Sequence, residues 1–376
     1  MNISKEIIYL DNNATTPLDP RVLEAMMPYF THNFANAAST HQLGLGAYEA
    51  IKEARKQVAG LIGAETNEII FTSGATEAIN LAIKGVAEGY ADRGKHIVTV
   101  STEHSAVLDT CKYLETKGYE VTYLPVKPDG LLDLDTVKNA IRTDTILVSV
   151  MHVNNETGVL HPIKEIAALA HEKGTIFMSD ATQSVGKISL DVDNLGIDLL
   201  TFSGHKIYGP KGVGALYVRQ RQNRIKIPAL LHGGGHERGL RSGTLNVPGI
   251  VGLGKASELA SLEMEENEKK IREMRDYLEK DFLKNNKVTL NGSINERIFN
   301  TFSICIKGLD ANILIGRLKS VAFSNGSACT SAILEPSHVL IAMGLSDDEA
   351  FSTIRISLGK FNTLSELSSI YSEIFH

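Results

Sequence analysis

Up to about residue 220, short apolar runs alternate with longer amphipathic stretches, and this alternation restricts the possible folds more than any other feature of the chain. Glu68-Ile69-Ile70-Phe71, His96-Ile97-Val98-Thr99-Val100, Thr145-Ile146-Leu147-Val148-Ser149-Val150 and Thr175-Ile176-Phe177-Met178 read as buried strands. Residues 76–91, 134–141 and 163–173 carry apolar side chains at helical spacing. Buried strands separated by helices imply a mostly parallel sheet with helices on both faces. In such a sheet, chemistry gathers at the carboxyl ends of the strands. From about Leu259 the texture changes: 260–286 reads as one long amphipathic helix, followed by strand-like 288–290 and 301–306 and further helices such as 364–375. The expected division is a large domain over 15–259 and a smaller α+β domain formed by 1–14 with 260–376.

Composition narrows the function more than the fold. With 376 residues, 43% apolar and 22% charged, the chain is long enough to build two cores. A net charge of -6 gives no general attraction for nucleic acid or anionic membranes. The segment Met1-Asn2-Ile3-Ser4-Lys5-Glu6 lacks the apolar core of a signal peptide, and no apolar run reaches the roughly 18 residues that span a bilayer. Three cysteines, Cys111, Cys305 and Cys329, are odd in number and widely spaced. That suits neither a disulfide framework nor a zinc site. The expectation is a cytoplasmic protein without a metal centre.

Three segments, each following a strand, carry groups that one cofactor would use together. Thr72-Ser73-Gly74-Ala75-Thr76-Glu77 opens a helix whose free N–H groups suit a phosphate, although a capped helix start is the plainer reading. Asp180, after the strand ending at Met178, suits either a protonated ring nitrogen or a helix cap. In Asp198-Leu199-Leu200-Thr201-Phe202-Ser203-Gly204-His205-Lys206 a strand delivers Lys206 to the sheet edge beside Ser203 and His205. Such a lysine serves as a covalent amine when its surroundings lower its proton affinity. Phosphate cup, carboxylate and lysine are the three parts that pyridoxal phosphate requires. Separately, Cys329 lies in Ser324-Asn325-Gly326-Ser327-Ala328-Cys329-Thr330-Ser331, a run of small polar residues that reads as an accessible, mobile thiol of the reactive kind.

These segments, with Thr102-Glu103-His104, His152-Val153-Asn154-Asn155-Glu156, Asp180-Ala181-Thr182-Gln183, Arg241-Ser242-Gly243-Thr244 and Gly326-Ser327-Ala328-Cys329-Thr330-Ser331, resemble the NifS/IscS-type cysteine desulfurases. The resemblance runs from Tyr9 to about Leu358 and is strongest to the group with a long loop after the cysteine. It implies fold type I of the pyridoxal phosphate enzymes, aspartate aminotransferase-like, with a seven-stranded-type large sheet. It also implies removal of sulfur from L-cysteine, giving L-alanine and a persulfide on Cys329. In that scheme Lys206 holds pyridoxal 5'-phosphate and moves the substrate's α-proton. Asp180 pairs with the ring nitrogen, Gln183 bonds the ring hydroxyl and His104 stacks on the ring. Ala75, Thr76, Ser203 and His205 bind the phosphate, and Thr244 reaches the phosphate of a second subunit in a homodimer. Asn155 and Arg355 clamp the substrate carboxylate. Cys111 and Cys305 read as packed core thiols.

The chain departs from the family at Ala37, where many relatives have proline, and it ends at His376, soon after Arg355. The shorter end leaves the sulfur-acceptor protein open: an iron–sulfur scaffold, tRNA thiolation and DNA phosphorothioation all remain. Rival readings are a selenocysteine lyase or another enzyme on the same scaffold, and a non-catalytic sulfur-relay subunit.

Overall fold

Fully buried runs account for the centre of the molecule. The structure is a computed structural model that describes residues 7–221, 224–326 and 335–375. β1 (Ile8–Tyr9) opens the chain, and a seven-stranded sheet follows, built from β2 (Ile69–Thr72), β3 (His96–Val100), β4 (Glu120–Leu124), β5 (Thr145–Ser149), β6 (Ile176–Asp180), β7 (Leu199–Ser203) and β8 (Gly214–Val218). Their order across the sheet is β2-β8-β7-β6-β5-β3-β4, and β8 alone runs antiparallel to its neighbours. The strands β2, β3, β5, β6, β7 and β8 are buried along their whole length. That explains their continuous apolar runs, since a sheet covered on both faces has no side to give to polar residues. β4 and β8 are absent from the sequence reading. β4 is an edge strand whose residues are mostly half-exposed, which dilutes its apolar pattern; β8 is short and begins with glycine and alanine.

Chain order places the functional end. From β3 the chain goes outward to β4 and then returns to β5 on the other side of β3, so strand order reverses between β3 and β5. At such a point the loops leave in opposite directions and open a crevice at the carboxyl ends.

The second region holds a three-stranded antiparallel sheet, order β12-β10-β9, from β9 (Val288–Asn291), β10 (Thr301–Ile306) and β12 (Thr353–Ser357). Beside it β1 pairs in parallel with β11 (Val321–Ala322), which brings the N-terminal residues to this region. Phe302, Ile304, Ile354 and Ile356 form its core with Leu10 and Phe282.

The long helix differs from the sequence expectation. It runs from Val247 to Phe282, starting well before 260. Asn246 caps it, its side chain accepting from Gly249 N–H. Glycines at 249, 252 and 254 disguise the first turns, because glycine disfavours helix interiors. They are there for close approach: a Cβ on Gly254 would lie 2.5 Å from Ala54 Cα, in the helix Gln42–Leu61. The final segment, expected as one helix over 364–375, is two short helices, Leu364–Leu367 and Ile370–Phe375.

Candidate active site

A cavity of about 850 Å³ opens at the carboxyl ends of β2, β6 and β7, and reaches across to Arg355 of β12. Eleven of the twelve candidate residues fall on described positions; Cys329 lies outside the described residues. Of those eleven, Ala75, Thr76, His104, Asn155, Asp180, Gln183, Ser203, His205, Lys206 and Arg355 line the cavity. Thr244 does not; it is exposed. The residues that flank the Cys329 segment in the described structure, Asn325 and Gly326 on one side and Pro336 and Ser337 on the other, also border the cavity.

At the end of β2 the chain turns through Gly74, whose φ of 153° suits only glycine. The neighbouring strand β8 needs this economy too, since a Cβ on Gly214 would sit 2.7 Å from Gly74 Cα. The helix Ala75–Gly89 then starts with no side-chain cap. Its first N–H groups therefore face the cavity with the positive end of the helix behind them, the arrangement that binds a phosphate. Glu77 is turned away from this role. Its carboxylate accepts from Ser73 N–H at 2.7 Å and from Arg241 Nε at 2.8 Å.

Asp180 ends β6, and its Oδ1 accepts from Thr182 N–H at 3.0 Å and from the Thr182 hydroxyl. Lys206 ends the short 3-10 turn Gly204–Lys206 that follows β7. Its Nζ donates to the carbonyls of Asn13 and Ala14, the latter at 2.7 Å. Gln183 Nε2 donates to the same Asn13 carbonyl at 3.0 Å.

His104 caps the helix Ser105–Glu115: its Nδ1 accepts from Ala106 N–H at 3.1 Å. The ring proton therefore belongs on Nε2. Burial chiefly, aided by Lys206 and His338, pushes its pKa below 6.5, against the opposing pull of Asp180. The imidazole is thus neutral at neutral pH. His205 is pushed down to about 4 by burial and by Lys206 and Lys211, and its Nδ1 lies 3.1 Å from Thr15 Oγ1.

On the far wall Arg355 is buried and donates through Nη1 to Asn155 O at 3.0 Å and through Nη2 to Asp11 Oδ1 at 2.6 Å. Arg355 Nε and Asn155 Oδ1 are buried without hydrogen-bond partners among the described residues. Glu156, next in sequence, accepts from the Ser337 hydroxyl. The other thiols are packing groups. Cys111 is fully buried and pushed up to about 12, chiefly by burial; burial also raises Cys305.

The sequence reading missed Asn13, the hub of the site. Besides its two-donor carbonyl, its N–H donates to Ser357 Oγ at 2.9 Å, and its Nδ2 to Asn155 O at 3.1 Å and Thr301 Oγ1 at 2.9 Å. A signal was available, because the polar run Asp11-Asn12-Asn13 directly follows the apolar Ile7-Ile8-Tyr9-Leu10. Lys187 was missed as well, and nothing in its own neighbourhood marks it; Glu156 lies in the segment 152–156 of the resemblance but has no role there.

Comparison with known proteins places this geometry. The family Aminotransferase class-V matches residues 8–370. A cysteine desulfurase IscS of Anaeromyxobacter sp. (strain K) is 55% identical over 362 residues, which cover 96% of this chain and 89% of that protein. Among solved structures, a NifS-like protein superposes with a TM-score of 0.92 at 39% identity, covering 98% of each chain. SspA in complex with cysteine superposes with a TM-score of 0.84 at 41% identity, covering 95% of this chain and all of that one (100%).

Proposed function

This chain belongs to the class-V aminotransferase family and is a cysteine desulfurase of the NifS/IscS type; from that premise we propose how its residues divide the work. The observation that carries the reading is the convergence of Lys206, Asp180, His104 and an uncapped helix start on one cavity. These groups fit pyridoxal phosphate. The N–H groups of Ala75 and Thr76, with Ser203 and His205, would take its phosphate; Asp180 would take the ring nitrogen, Gln183 the ring hydroxyl and Lys206 the aldehyde. When bound, the cofactor supplies an electron sink for the pair left behind when the substrate's α-proton is removed.

The chain's own residues do the rest. Lys206 Nζ, at the carboxyl end of β7 and lining the cavity, would take the α-proton with its amine in the neutral form. Neutral His104 offers a flat apolar face to the ring and a proton on Nε2. Arg355 Nε and Asn155 hold the substrate carboxylate, a pairing that suits a guanidinium. The Cys329 thiolate attacks the substrate sulfur: the carbon–sulfur bond breaks, a sulfur–sulfur bond forms on Cys329, and the carbon skeleton leaves as alanine after protonation.

Two observations support a homodimer with shared sites. Thr244 stands outside its own chain's cavity. Leu23, Met27, Phe30, Phe34, Leu43 and Tyr48 are exposed although apolar, and the helices that carry Leu23, Phe30, Leu43 and Tyr48 pack against the same long helix. Such a patch favours a second copy. Among the described residues no helix is long and apolar enough to cross a membrane. A reducing compartment such as the cytoplasm suits a product carried on a thiol, which a sulfur-acceptor protein then receives.

Mass spectrometry of the cysteine-treated enzyme tests the scheme. Wild type should gain one sulfur on Cys329 and release alanine. Cys329→Ser should still take up cofactor and cysteine but gain no sulfur. Sulfur on Cys111 or Cys305 instead would overturn the assignment.

A further inference from the structure

Lys187 is a cation that the scheme above leaves unused. It lies on the turn after β6 and does not line the cavity. The residue keeps part of its surface exposed, but its amine is enclosed; burial, with Lys206 and Arg355 nearby, pushes its pKa down to about 7. Among the described residues, its Nζ makes one hydrogen bond, to Gln183 Oε1 at 2.7 Å. Among the described residues no carboxylate is paired with it. An enclosed amine that feels two other cations is costly to keep, and its one hydrogen bond offsets part of that cost.

What the contact does follows from the shape of a side-chain amide. The two ends of Gln183 are nearly the same size, so its neighbours decide which end faces which way. An ammonium has donors only, and against it Oε1 is the end that fits. The neutral amine can donate or accept, so after deprotonation the preference is held with the help of the Asn13 carbonyl, which accepts only. With Oε1 committed to Lys187, Nε2 turns to the Asn13 carbonyl at 3.0 Å and to the cavity. The reversed amide would set N–H groups against Lys187 and an oxygen against the Asn13 carbonyl, which Lys206 also approaches.

We propose that Lys187 is a positioning residue, which locks the Gln183 amide with its N–H end toward the cavity so that Gln183 donates to the ionised ring oxygen of the cofactor. The proposal rests on the reading that pyridoxal phosphate occupies the cavity with its ring hydroxyl beside Gln183. It names a second lysine at the site whose task is orientation, not chemistry.

The test uses the full-length enzyme stripped of cofactor and titrated with pyridoxal phosphate, in wild type, Lys187→Met, Lys187→Arg, Gln183→Leu and the double variant Lys187→Met/Gln183→Leu. Two readouts are independent of turnover: the dissociation constant of the cofactor and the pH profile of its absorption band once bound. Lys187→Met should weaken binding about tenfold, the scale of one charge-assisted hydrogen bond, and displace the pH profile. Lys187→Arg, which keeps a donor-only cation, should restore both. The double variant should match Gln183→Leu alone, because Lys187 acts through Gln183. If Gln183→Leu changes both readouts while Lys187→Met changes neither, Lys187 does not position the amide. Additive losses in the double variant likewise overturn it. Failure of the underlying reading looks different: wild type takes up no cofactor, or Gln183→Leu is silent. Melting temperatures of each apo variant separate these effects from misfolding, and Lys187→Gln serves in place of Lys187→Met if the latter does not fold.

Discussion

On the wall of the cavity built by the large sheet, the side chains of Asp180, Gln183 and Lys206 already have partners inside the protein and only the helix start at Ala75 stays uncapped, whereas the wall that carries Arg355 leaves side-chain groups of its own open. Asp180 accepts from Thr182, Gln183 lies between Lys187 and Asn13, and Lys206 donates to two carbonyls. Across the cavity, Asn155 Oδ1 and Arg355 Nε are buried with no partner among the described residues. A buried polar atom left unpaired costs about 1–3 kcal/mol. The side chains of one wall are therefore set before anything binds, and those of the other are completed by what binds. A long-lived cofactor suits the first and a substrate that comes and goes suits the second.

The contrast can be broken from either side. The largest effect is expected from Lys206→Ala, which should lower alanine formation by about 10³-fold or more and abolish the covalently bound cofactor's absorbance; near-normal turnover would make the finished wall dispensable. Next comes Arg355→Gln. It should raise the KM for cysteine by roughly ten- to a hundredfold, the scale of one or two charge-assisted hydrogen bonds, while cofactor absorbance stays as in wild type. A variant that loses cofactor instead would erase the distinction between the walls. Asp11→Asn should act in the same direction but more weakly, about threefold in KM, because it loosens the orientation of Arg355 without removing it.

The smallest effect concerns acid. His152 and His161 lie beside the turn that presents Asn155, and burial pushes each down to about 4. Folded-state values below the unfolded one of about 6.5 mean that the unfolded chain binds more protons between those limits. Their contribution to stability is complete above pH 6.5 and is lost as pH falls toward 4. The melting temperature should drop through that window, and His161→Gln should flatten the drop; an equal slope in the variant would assign it to other groups.

The same physics decides what a reader of the sequence can see. β3, β5, β6 and β7 announce themselves because both faces are buried, and the order of strand ends points to Asp180 and Lys206 together, whereas His104 is legible only through the family resemblance. β4 is hidden by its half-exposed face. The start of the long helix is hidden by glycines, of which Gly254 makes room for Ala54, two hundred residues earlier in the chain. Asn13 and Lys187 stay invisible for a related reason. The meaning of Asn13 lies in contacts with Gln183, Thr301 and Ser357, which only folding brings near. That of Lys187 lies in its hydrogen bond to Gln183 Oε1, which the folded turn after β6 encloses.

The helix Val247–Phe282 has a consequence for how the molecule comes apart. Its 36 residues extend about 54 Å at 1.5 Å per residue. Leu253, Ala256 and Leu259 at one end belong to the core under the large sheet, and Ile271, Met274, Leu278 and Phe282 at the other belong to the core under the small one. Neither core can melt without stripping one end of the same rod, and a helix stripped of its packing has little stability of its own. Heat therefore meets a single cooperative block, where a jointed connection would let two blocks melt in turn.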